Sequence, residues 1–167
     1  IHRGDVVFVD RSAFSFTAPE RGDLVLVEEH MKGSKARRAF FARVIAIPGD
    51  SIQLQGSLPL VNKKKLKRLY AKTRESLSDF AEYAIEIPYA ESDPSDEINA
   101  EPAQWYSIIA PEQILYSKTE TITLDSEAYF ILEDNREIGF NRSQNLGLIV
   151  HRSWIKGRPL YIFYNAL

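Results

Sequence analysis

The side chains with chemistry to offer in this chain are mostly charges set at turns. Arg3-Gly4-Asp5 and Arg21-Gly22-Asp23 each lead into an apolar run, so that both copies share the pattern RGD-x-V-x-V followed by an acid, Asp10 in the first and Glu28 in the second. In each, glycine supplies the backbone freedom of a tight turn feeding a strand. That explains both triplets without invoking integrin binding. Further along, Arg43 stands in a run that ends on Pro48-Gly49-Asp50, and Asp134-Asn135-Arg136 follows Tyr129-Phe130-Ile131-Leu132. Taken one at a time, Arg43, Asp134 and Arg136 read as surface charges that close turns. His2, His30 and His151 have no metal-ligand spacing, so no metal site is expected. The absence of cysteine excludes disulfides, thiolate metal sites and a cysteine nucleophile.

The elements that must position these groups are read from composition and periodicity. The 167 residues make one ordinary domain, and 44% apolar with 26% charged side chains is enough to bury a core without metal or disulfide staples. A net charge of −2 is too balanced for a general nucleic-acid coat, and no nucleic-acid partner is expected. No window approaches 18 consecutive apolar residues and no signal-peptide pattern is present. The chain begins with Ile1, so a longer parent protein is expected.

Short apolar and β-branched runs predict strands at Val6 to Val9, Leu24 to Val27, Phe40 to Ile47 and Ile52 to Leu54. They return at Ile122 to Leu124, Tyr129 to Leu132, Leu148 to Val150 and Leu160 to Tyr164. Between them, Leu66, Leu69, Tyr70, Leu77, Phe80, Ala84 and Ile87 recur near helical spacing and predict a helix around 65 to 85. From Glu91 to Glu101 five acids and one proline without a basic residue predict a solvated loop. The expectation is a mainly β fold of antiparallel strands, with residues 1–62 and 119–167 as one scaffold and 63–118 as a partly helical insertion.

Three ordered stretches carry a family resemblance: Pro19 to Val27, containing Arg21-Gly22-Asp23; Ala42-Arg43-Val44-Ile45-Ala46-Ile47-Pro48-Gly49-Asp50; and Tyr129 through Glu133-Asp134-Asn135-Arg136. In this order they resemble the boxes of the type I signal peptidases, written P-x-RGD-VVV, KRVIGLPGD and YFVLGDNRDNSxDSR. Gly147 to Val150 with Ile155 to Arg158 is similar to that family's closing strand pair. The resemblance covers roughly residues 3–54 and 120–163; residues 63–118 fall where the family carries a variable second domain.

The resemblance implies a membrane-anchored serine endopeptidase on the extracytoplasmic side of the cell membrane, which removes signal peptides from exported proteins with a Ser/Lys dyad and no cofactor. The lysine must be neutral to accept the serine proton, which requires an apolar pocket. By the family's spacing, the nucleophilic serine would lie just upstream of Ile1, and the general-base lysine falls on Ala42. A methyl group accepts no proton. Gly139 stands where a serine supports the lysine, Glu133 replaces the glycine before DNR, and the DSR region reads Phe140-Asn141-Arg142.

Ala42 could be an engineered inactivating change or a natural one. Erosion at the neighbouring support positions favours a naturally inactive relative. In the box context Arg43 and Asp134 are candidates for a structural salt bridge, with Asn135, Arg136 and Arg142 as further support. Phe40 and Phe41 are candidates to line the substrate side. The implied partners are signal peptides and the membrane surface, where the basic runs Lys32 to Arg38 and Lys63 to Arg68 could meet anionic lipid. The alternative is a pseudo-peptidase that binds signal peptides or partners an active enzyme. A self-cleaving repressor-type switch would share the Ser/Lys logic, but no Ala-Gly cleavage site precedes the region.

Overall fold

In a computed structural model the described residues are 5–30, 37–55, 58–71, 81–87, 106–111, 119–134 and 148–163. They form antiparallel sheets. The largest has six strands: β1 (Val6–Asp10), β2 (Leu24–His30), β3 (Arg37–Ala46), β11 (Ala128–Leu132), β12 (Leu148–His151) and β13 (Ile155–Phe163), in the spatial order β1-β13-β2-β3-β11-β12. A four-stranded sheet holds β4 (Ser51–Gln55), β5 (Leu58–Val61), β6 (Lys64–Lys65) and β10 (Ile122–Thr123), in the order β10-β4-β5-β6. A third sheet is β7 (Lys67–Ala71), β8 (Ala81–Ile87) and β9 (Tyr106–Pro111). Early and late strands pair repeatedly: β1 and β2 with β13, β3 with β11, and β4 with β10.

The helix expected around 65 to 85 is not what the structure contains at its described positions. Lys67–Ala71 and Ala81–Ile87 are adjacent strands joined by a regular antiparallel register. The physical reason is visible in the second of them, where Tyr83, Ile85 and Ile87 alternate with Glu82, Ala84 and Glu86. That period of two satisfies a strand at least as well as the scattered 3.6-residue pattern satisfies a helix. Pairing on both sides, with β7 and with β9, then completes the backbone ladder of β8. The acidic run from Glu91 to Glu101 lies outside the described residues.

Two apolar clusters flank the six-stranded sheet. The first gathers Phe14, Val25, Val27, Ala42, Val44, Tyr129, Ile131, Val150 and Ile155. The second gathers Ile45, Ala46, Phe130 and Ala128 from that sheet with Ile52, Leu54 and Val61 from the four-stranded one and Leu124 just after β10. Their shared strands explain the burial of β3. It alternates near its start, then runs buried through Val44, Ile45 and Ala46, where both faces are covered.

Candidate active site

The Arg-Gly-Asp and Pro-Gly-Asp turns are fixed by buried carboxylates. Asp50 is 4% exposed. It accepts from Arg21 Nε at 2.8 Å and Nη2 at 2.5 Å, from the Ile47 amide at 2.9 Å and from Asn62 Nδ2 at 2.9 Å. Burial pushes its pKa up, but the Arg21 pair and the Ile47 and Asn62 donors outweigh that and hold the carboxyl below its ordinary value. Gly49 adopts a φ of 87° in this turn, which glycine tolerates at no steric cost. Asp23, also buried, accepts from the Glu20 amide at 2.9 Å and from Arg158 at 3.1 Å.

A third clasp joins β3 to the end of β11. Arg43 donates through Nε to Asp134 Oδ1 at 2.8 Å and through Nη2 to Oδ2 at 2.5 Å, a bidentate pair, while Nη1 donates to the Gly22 carbonyl at 2.7 Å. One guanidinium thus ties together the turn before β2, strand β3 and the start of the Asp134-Asn135-Arg136 segment. Arg43, Asp23 and Arg158 also border an open groove of about 360 Å³ whose other lining includes Leu24, Leu160 and Ile162.

Ala42 lies directly beside this clasp and faces the other way. It pairs with Val25 on β2, is 1% exposed, and belongs to the first apolar cluster. A side chain projecting from this position enters an apolar environment that includes Val25, Val44, Tyr129 and Ile131. Such a site disfavours the charged form of an amine. The same desolvation raises the pKa of the Tyr129 phenol. Phe40, two residues before Ala42 on the same face, packs against this cluster, and Phe41 is half-buried on the opposite face.

Strand β3 pairs with β2 from Arg37 to Arg43, but β11 pairs with it only at Arg43, Val44 and Ala46. Among the described residues, the β11-side edge of Arg37–Ala42 therefore has no ladder partner, and it ends at Ala42. This edge offers backbone donors and acceptors to an added strand.

The structure thus brings Phe40, Phe41, Ala42, Arg43 and Asp134 together, while Asn135, Arg136, Gly139 and Arg142 lie outside the described residues. Sequence reasoning gave no role to Arg158 or to the Gly22 carbonyl, and it did not foresee a contact between Arg38 and Glu133. The last two meet at 4.0 Å. Arg158 had a signal, since it stands in the stretch similar to the family's closing strand pair; the others depend on three-dimensional placement alone.

Comparison with known proteins agrees with the boxes. The family model described as "Signal peptidase, peptidase S26" matches residues 1–164. Signal peptidase I of Rickettsia typhi is 28% identical over 150 residues, covering 89% of this chain and 53% of that protein, and that of Rickettsia prowazekii gives the same figures. The chain spans about half the length of the curated relatives it matches. A crystal structure of a signal peptidase I from Enterococcus faecalis is similar over 85% of this chain and 97% of that one, at 17% identity and a TM-score of 0.39. With a family model matching almost its whole length, the chain belongs to the signal peptidase family, peptidase S26.

Proposed function

We propose that this chain is the peptidase-type β domain of a membrane-anchored type I signal peptidase relative. In this reading it takes signal peptides of exported preproteins as extended strands on the extracytoplasmic side of the membrane, and it lacks the proton acceptor needed to cut them. The observation that carries the reading is Ala42: 1% exposed, inside an apolar cluster and next to the Arg43–Asp134 clasp. In the Ser/Lys mechanism a serine hydroxyl gives its proton to a neutral lysine amine as it attacks the scissile carbonyl, and nearby donors stabilise the oxyanion. The pocket around Ala42 has the apolar character that keeps such an amine neutral, and alanine puts no amine in it.

A peptide adding to the edge of β3 that has no partner among the described residues would run past Phe40 and end its pairing at Ala42, the place the reaction needs it. The exposed Val6, Phe8, Tyr161 and Phe163, paired across β1 and β13, support contact with a membrane surface. Among the described residues no helix is long and apolar enough to cross one.

The test uses the natural full-length protein in membranes with a preprotein substrate. The Ala42 form is expected to leave the preprotein intact while still being crosslinked to its signal peptide, and Ala42→Lys together with Gly139→Ser is expected to restore cleavage. Cleavage by the Ala42 form would overturn the missing-base reading. The second reading, a pseudo-peptidase that only binds, is favoured by the replacement of neighbouring support positions at Glu133 and Gly139. It would be upheld by crosslinking without any cleavage in the double variant.

A further inference from the structure

The edge of β3 that has no ladder partner among the described residues is not simply open. Arg38, Phe40 and Ala42 alternate onto the sheet face that bears the first apolar cluster. The Arg38 guanidinium carbon stands 4.9 Å from the centre of the Phe40 ring. From there its Nη2 reaches to 4.0 Å from Oε1 of Glu133, the residue that follows the end of β11 and stands where the family box has glycine. The charged bridge therefore runs from the strand that would receive a peptide to the end of β11, beside the edge that has no partner among the described residues.

We propose that Arg38 and Glu133 form a latch across this edge of β3, which an extended peptide must open before it pairs with residues 37–42. The inference rests on the reading of that edge as a peptide-binding strand. At 4.0 Å the contact is longer than a hydrogen bond, and the two side chains are 40% and 24% exposed, so the pair is weak and screened by salt. Weakness suits a latch. A pair of this kind restrains binding by about two- to five-fold, enough to favour peptides that bring further contacts and too little to shut the edge. Glycine at position 133 would leave Arg38 without this partner, so the latch is a property of this chain's own sequence.

The experiment compares the full-length protein with its Glu133→Gln and Arg38→Gln variants and with the double variant. Two quantities are measured: the affinity for a fluorescent, uncharged, small-residue peptide of signal-peptide type, and amide hydrogen exchange at residues 37–42 without peptide. Each single variant is expected to bind about two- to five-fold more tightly and to exchange faster at 37–42, and the double variant to go no further than either single one. Raising salt to about 0.5 M should bring the unaltered protein toward the variants and leave the variants where they are.

Equal exchange and equal affinity in all four proteins would overturn the latch, as would gains that simply add in the double variant. If none of the four binds peptide, the peptide-binding reading falls. Exchange at 37–42, measured without peptide, still decides whether the contact restrains the edge.

Discussion

Ala42 and Asp50 lie in one sequence box, and burial acts on them in opposite ways. At Ala42 the surroundings are apolar, so any ionisable group placed there is driven to its neutral form. At Asp50 the same burial is overcome by a guanidinium, a backbone amide and a side-chain amide, which keep the carboxylate charged. Removing that carboxylate leaves Arg21 facing a vacant polar site and frees the Ile47 amide. Asp50→Ala is therefore expected to cost about 3 kcal/mol at pH 7, near the lower end of the cost of breaking a buried pair, because Arg21 itself reaches solvent. The folded pKa of Asp50 lies below the ordinary 3.8, so its contribution is complete above that value and is lost as pH falls through the folded one. Urea denaturation of both proteins checks this. The gap should hold from pH 7 down to about 4 and narrow only below; a gap that narrows between pH 7 and 5 would contradict the assignment.

Elements show where sequence reading succeeds and where it cannot. Strands β2, β3 and β11 were legible because short β-branched and aromatic runs have little alternative to a sheet, with Gly22-Asp23 and Gly49-Asp50 marking turns beside β2 and β3, and the Arg43 and Asp134 boxes rode on them. The strands in 63–118 were not legible, because Leu66, Leu69, Tyr70 and Leu77 satisfy a helical period while Glu82 to Ile87 satisfy a period of two. Only pairing with β7 and β9 decides between them. The Arg38–Glu133 contact was equally invisible, since it depends on where β11 stops against β3. Gly157 shows an element-scale constraint: it lies inside β13, where its backbone runs close to β1. A Cβ there would collide with the Asp10 carbonyl oxygen and stand 2.7 Å from Val9 Cγ1. Since backbone must yield, Gly157→Ala is expected to cost about 1 to 3 kcal/mol. It should also speed hydrogen exchange in β1 more than in β11, and uniform exchange changes across the six-stranded sheet would argue against a local clash.

For the whole molecule the decisive feature is that β3 and β11 each serve both apolar clusters. Ala42 and Val44 face the first while Ile45 and Ala46 join the second, and Tyr129 and Ile131 alternate with Ala128 and Phe130 in the same way. Neither cluster can be lost without unpairing strands that the other needs, so the two are expected to unfold as one cooperative unit. Leu54→Ala tests this from the far side: Leu54 is 4% exposed in the second cluster, and its truncation should cost about 2 to 5 kcal/mol. Trp154 packs against the first cluster and reports on it. With Trp105→Phe as background, the urea midpoint from Trp154 fluorescence should fall by the same amount as the midpoint from far-UV circular dichroism. If Trp154 kept its original midpoint while the dichroism moved, the clusters would be separate units, and the shared strands would not transmit the loss of packing to the face that carries Ala42.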